Sequence, residues 1–169
     1  TYINNLKVRK IKDKAVIQVK GLPDNARITN VSWSPNEKKI AFTNTTNKGV
    51  ELWVLDVVSA TAKKLTADNL NANLLNPFNW MKDNETLLVK VLPKDRPALI
   101  ISAKDLPKGP TVSLSDGSKS QNRTYQDLLK NPQDEANFET LAKSELVKIS
   151  IDGTQHKFKS DAIYASMNY

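Results

Sequence analysis

His156 is the only histidine among 169 residues, and there is no cysteine, so thiolate chemistry is excluded and a serine triad could draw on that one imidazole alone. A serine triad needs the imidazole beside both a serine and a carboxylate. Here Gln155-His156-Lys157 reads as part of an outer β-strand with its side chain in water. The elbow of a serine hydrolase is also missing. None of the five glycines falls in a Gly-x-Ser-x-Gly turn, the strained strand-to-helix corner that lifts a nucleophile above its sheet. One histidine without thiolates cannot complete a structural zinc site, and the aspartates lack the spacing of a calcium loop. The sequence therefore predicts no catalytic residue, no metal and no cofactor.

The elements that would have to position any site repeat. Trp33-Ser34-Pro35-Asn36-Glu37 is followed by the strand-like run Lys38 to Thr43, a polar turn, and Glu51-Leu52-Trp53-Val54-Leu55-Asp56. Pro35-Asn36 suits the centre of a tight turn, because proline presets φ and asparagine bonds to its own backbone. Trp80-Met81-Lys82-Asp83-Asn84-Glu85 and Thr86 to Leu92 repeat this order 47 residues later. Leu6, Leu52 and Leu146 each open an apolar stretch that leads through a polar turn into another short strand. The step from Leu52 to Leu146 is twice the period, which implies one period plus an insertion. Four short strands repeating at a period in the forties predict propeller blades, and no 3.6-residue rhythm supports a helical repeat.

The expected architecture is all-β, a partial propeller of about two and a half blades of four-stranded antiparallel sheet with a short helical insertion. Residues 1–20 would be the outer half of a blade, 27–66 a complete blade, 77–159 a second blade interrupted at 93–143, and 163–169 the first strand of the next. The insertion carries Pro93, Pro97, Pro107 and Pro110 and then two helical signatures. Thr124 with Asp127 resembles a capping box ahead of Tyr125 to Lys130. Asn131 would cap a second helix, with Pro132 at its first position and Asp134 and Glu135 in the first turn, where the dipole favours anions. Phe138, Leu141 and Ala142 would form the apolar side of this second helix, and Leu128, Leu129, Phe138 and Leu141 would pack the two helices.

Composition sets limits on function. With 39% hydrophobic and 25% charged residues the chain is ordinary for a globular domain, and runs such as Ala98 to Ile101 fall far short of the roughly 20 residues of a bilayer span. Lacking a signal peptide and an initiator methionine, it is expected to begin within a longer protein or after a processing site. A bacterial parent would be expected in the periplasm or outside the cell.

Of the net charge of +7, five units lie in the first twenty residues. Those bases alternate with Leu6, Val8 and Ile11 as the wet face of an exposed strand pair would, without the arginines and aromatics of a phosphate-binding surface, so no nucleic-acid partner is expected. Asn-x-Ser/Thr triplets at Asn30, Asn44, Asn84 and Asn122 are those a chain rich in Asn and Thr produces by chance. Open sheet edges in an incomplete propeller predict self-association or a partner fragment.

The Trp33 to Phe42 element is similar to the Trp-Ser-Pro-Asp-Gly-Lys element of propellers in the prolyl oligopeptidase family and in TolB-like proteins, with Glu37 where glycine is usual. More specifically, Gly109-Pro110, Arg123 to Pro132, Asp134-Glu135, Phe138 and Ser144-Glu145-Leu146 resemble the insertion of the glutamyl endopeptidase-like branch of that peptidase family. The resemblance implies an N-terminal propeller that gates peptide access to an α/β-hydrolase domain on another stretch of chain. It also makes Arg123 a candidate substrate-binding residue, because a planar, always-charged fork suits an acidic side chain, although a surface or cap-bracing ion pair explains it as well. Asp134-Glu135 compares with the paired glutamates of the dipeptidyl peptidase branch, but the helix dipole already accounts for it. The rival reading is a stand-alone TolB-like or WD-repeat-like interaction module.

Overall fold

Strands that are apolar on both faces can be buried only between two layers, and the central strands here are of that kind. The computed structural model describes residues 2–12, 14–101, 117, 129 and 131–164. They fall into two compact units, 1–95 with 142–169, and 96–141.

The first unit contains β1 (Lys7–Arg9), β2 (Val16–Gln18), β3 (Ile28–Trp33), β4 (Lys39–Thr45), β5 (Val50–Asp56), β6 (Thr61–Lys64), β7 (Phe78–Trp80) and β8 (Thr86–Val91). After α1 (Pro132–Ala142) come β9 (Lys143–Ser150) and β10 (Gln155–Ile163). Two four-stranded sheets run in the spatial orders β3-β4-β5-β6 and β7-β8-β9-β10, and β1-β2 is a separate pair. All these strand pairs are antiparallel. Sequential four-stranded meanders of this kind are propeller blades, so the chain is all-β and forms part of a propeller.

Side-chain alternation along the strands builds the core. Ala41, Leu52 and Val54 of the first blade face Leu87, Val89, Val147 and Ile149 of the second, and Phe78 and Trp80 close the same cluster. The intervening residues Ile40, Phe42 and Leu55 point the other way, onto Val19, Ala26 and the half-buried Leu6 and Val8. Phe42 and Trp53 stack there with ring centres 6.3 Å apart. Each large apolar side chain buried in this way contributes about 1.5–3 kcal/mol, and a one-residue slip of register would turn every one of them to the wrong layer.

The turns repeat with the blades. Ser34 N–H bonds to Lys39 carbonyl and Glu37 N–H to Ser34 carbonyl; Met81 with Thr86 and Asn84 with Met81 do the same 47 residues later. Asn36 and Asp83 close their turns by accepting the N–H two residues on. Glu37 and Asn84 both lie in the left-handed region, at φ of 58° and 64°. The position usual for glycine thus keeps a glycine-like conformation with glutamate in it. At the β4–β5 turn Gly49 is required for a different reason: a Cβ there would collide with the Asp68 carbonyl oxygen.

β10 continues to Ile163, which pairs with Lys143, so Ile163 ends the outer strand of the second blade. Residues 165–169 and the expected helix at Tyr125 to Lys130 lie outside the described residues. In α1, Asn131 caps as its sequence suggests, its side-chain oxygen accepting Asp134 N–H at 2.9 Å. Its expected apolar packing holds only in part. Ala142 is buried as expected, whereas Phe138 is 43% exposed and Leu129 is exposed. Polar contacts tether α1 instead: the Asn137 amide bonds both ways to the Ile100 backbone, at 2.8 and 2.9 Å, and Arg96 donates to the Thr140 carbonyl.

These turns predict opposite outcomes for one substitution. In this chain Glu37→Gly should raise stability by about 0.5–1 kcal/mol, by relieving left-handed strain on a residue without side-chain stabilisation of that conformation. Asn84→Gly should lower it by about 0.5–1 kcal/mol, because asparagine tolerates the conformation and its amide bonds are lost. Urea midpoints check both, and a destabilised Glu37→Gly would contradict the strain.

Candidate functional site

The innermost strands, β3 and β7, lie next to each other, and between them is a recess of about 190 Å³ lined by Asn30, Val31 and Ser32 on one side and Asn76, Pro77, Phe78 and Asn79 on the other. β3 opens it through a bulge. Its register with β4 shifts between Thr29 and Ser32, and Asn30 takes a left-handed φ of 49°. An extra residue in one strand kinks that strand, and asparagine is among the few side chains that accept such a backbone. The Asn30 amide donates to Thr43 Oγ1 at 3.1 Å, while the Thr29 and Thr43 hydroxyls bond at 2.9 Å. Trp80 fixes the far wall by donating its indole N–H to the Ser32 carbonyl at 3.1 Å. No charged residue lines this recess. Side-chain amides that donate and accept suit neutral amide or hydroxyl groups better than ions.

A second recess, of about 290 Å³, is lined by Lys39, Asp56, Ser59, Thr61 and Lys63 with Val54 and Ile151 as its apolar part. Bonds from the Ser59 backbone and hydroxyl, with Lys39 nearby, hold the Asp56 carboxyl below 3.8. It presents both signs of charge, its carboxylate already occupied by a turn.

Two charged groups lie deep in the sheets. Burial pushes the Glu51 carboxyl up, but three donors outweigh that and hold it below 4.5: Asn44 Nδ2 at 3.1 Å, Trp53 Nε1 at 2.8 Å and Lys64 Nζ at 3.2 Å. Asn44 also accepts Arg27 N–H at 2.9 Å, so the network fixes β3 to β4 and β4 to β5 to β6. Lys90, 2% exposed, has its pKa lowered from 10.5 by burial, and its ammonium donates to the Leu74 carbonyl in the crossover between blades.

The sequence-predicted residues do not converge on these places. Arg123 lies outside the described residues. Asp134 and Glu135 occupy the first turn of α1. His156 is exposed on β10 opposite Lys148 and engages no serine or carboxylate among the described residues. Sequence reasoning missed Asn30, Asn44 and Asn84 as structural amides, because it weighed them only as triplets. Their positions beside a turn or a strand edge were the available signal.

No protein-family model matches the chain. Two curated plant proteins do. The "Probable glutamyl endopeptidase, chloroplastic" of Arabidopsis thaliana is 35% identical over 166 residues, and its namesake in Oryza sativa subsp. japonica is 36% identical over 161. Each match takes in 89% of this chain, but only 16% and 17% of the relatives, so the chain spans about one sixth of their length. Among solved structures, the Pyrococcus horikoshii acylaminoacyl peptidase aligns with 89% of this chain and 20% of its own, at 19% identity and a TM-score of 0.44.

The Glu51 network predicts a pH dependence. Its folded-state pKa lies below the unfolded one, so its stabilisation is complete above the ordinary carboxylate pKa and is lost as pH falls through the folded value. Glu51→Gln should cost about 1–3 kcal/mol at neutral pH, and the gap to wild type should close on acidification. Urea midpoints measured from neutral to acid pH test this; a gap independent of pH would show that the charge contributes nothing.

Proposed function

We propose that this chain is part of the propeller of a prolyl oligopeptidase-family peptidase of the glutamyl endopeptidase-like branch, and that it serves there as a non-catalytic gate for peptides. The relation to glutamyl endopeptidases over 89% of the chain carries this reading. A hydrolase domain in the rest of the parent supplies the nucleophile, and the propeller admits extended chains and excludes folded ones. The uncharged recess between β3 and β7 supports it, since asparagine amides can bond a passing main chain without selecting side-chain charge. In this reading a preference for glutamate arises elsewhere, with Arg123 the candidate within this chain.

The experiment gives the chain and its parent fluorogenic peptides with Glu, Pro or Lys at the cleavage position, and adds a folded protein containing the same site. The chain should cleave nothing. The parent should cleave after Glu, ignore the folded protein, and lose its preference for Glu over Lys on Arg123→Ala. Turnover by the chain alone would refute the non-catalytic role, equal kcat/KM for folded and short substrates would refute gating, and an unchanged preference in the variant would remove Arg123 from the substrate site.

A further inference from the structure

The contacts that join the two blades come from fixed positions in the repeat, and the residues at those positions one period earlier make no such contact among the described residues. Trp80 closes its inner strand, is 8% exposed, and donates its indole N–H to the carbonyl of Ser32, the residue before the aromatic of the preceding inner strand. Four residues later, the Asn84 side-chain oxygen accepts the N–H of Asn36 in the preceding blade's turn, at 2.7 Å. Their counterparts one period earlier are Trp33 and Glu37, in a turn with the same backbone bonds and the same left-handed residue. Yet Trp33 is 53% exposed and Glu37 is exposed, and among the described residues the indole N–H bonds to nothing and the carboxylate has no ion pair.

The same end of the fold has an incomplete sheet. β1 pairs only with β2 among the described strands. Leu6 and Val8 nevertheless lie on the outward face of the first blade, as that blade lies on the second. β1 and β2 thus stand where the third and fourth strands of a preceding blade belong.

We propose that Trp33, Glu37 and the free edge of β1 are the docking surface for the inner β-hairpin of one further blade, carried by the longer parent polypeptide. Trp33 donates to the carbonyl before that hairpin's closing aromatic, Glu37 accepts the N–H of the second residue of its turn, and β1 takes its second strand as a ladder partner. A second copy of this chain is the poorer fit. Both of its inner hairpins, β3-β4 and β7-β8, are already built into four-stranded sheets, so it has none to give. The inference rests on the reading of this chain as part of a longer propeller, and its test needs no peptidase activity.

Hydroxyl-radical footprinting of the intact parent, read by mass spectrometry, compares oxidation of Trp33 with that of Trp80 in the same molecule. Docking predicts similar low labelling of both, unchanged on dilution. Their exposures of 53% and 8% predict more than sixfold heavier labelling of Trp33 if the surface is open, and that result would overturn the proposal. Protection that disappears on dilution would also overturn it, by assigning the surface to a second copy. A parent that cleaves nothing after Glu while Trp33 stays protected would fail the peptidase reading and leave this one standing.

Discussion

Everything in the first unit depends on apolar contact between the faces of neighbouring sheets. Ala41, Leu52, Val54, Leu87, Val89, Val147 and Ile149 form one layer only because two blades face each other, and a lone four-stranded sheet would leave half of that surface in water. Burial of this kind is non-directional, so it does not by itself fix how the blades align. Alignment comes from a few directed bonds at the inner ends: Trp80 to Ser32 and Asn36 to Asn84. Apolar area supplies the stability, and these two bonds, with the crossover's bridges from Asn69 to Val50 and from Leu70 to Val91, hold the offset between repeats.

That division explains what could be read in the sequence. Spacing and two-faced strands are local properties, and the recurrence of Trp33 at Trp80 marks two blades that the sheets display. The insertion inside the second blade was legible for the same reason, because β8 pairs directly with β9 across more than fifty intervening residues. The Asn131 cap was legible because capping depends on a few adjacent residues. The packing of α1 was legible only in part, since an apolar spacing says nothing about whether a surface exists to receive it: Ala142 is buried, but Phe138 is 43% exposed.

The candidate site was the least legible part. Its residues lie far apart in the chain, and their importance comes from strand register. Asn30 matters because β3 bulges there, and Asn44 because it stands opposite Glu51. Glycine is usual where Glu37 stands, so a turn alone explained the position; only the Asn84 bond shows that a side chain there can reach the preceding blade.

Whether two separate sheets pack face to face, with β3 and β7 adjacent but unpaired, is decided by nuclear Overhauser effects in the labelled chain. Separate, packed blades give a contact from the Trp80 indole proton to the Ser32–Trp33 backbone, with the β3–β4 and β7–β8 ladders each intact. A continuous ladder of backbone contacts between β3 and β7, placing Trp33 and Trp80 in one sheet, would contradict that packing.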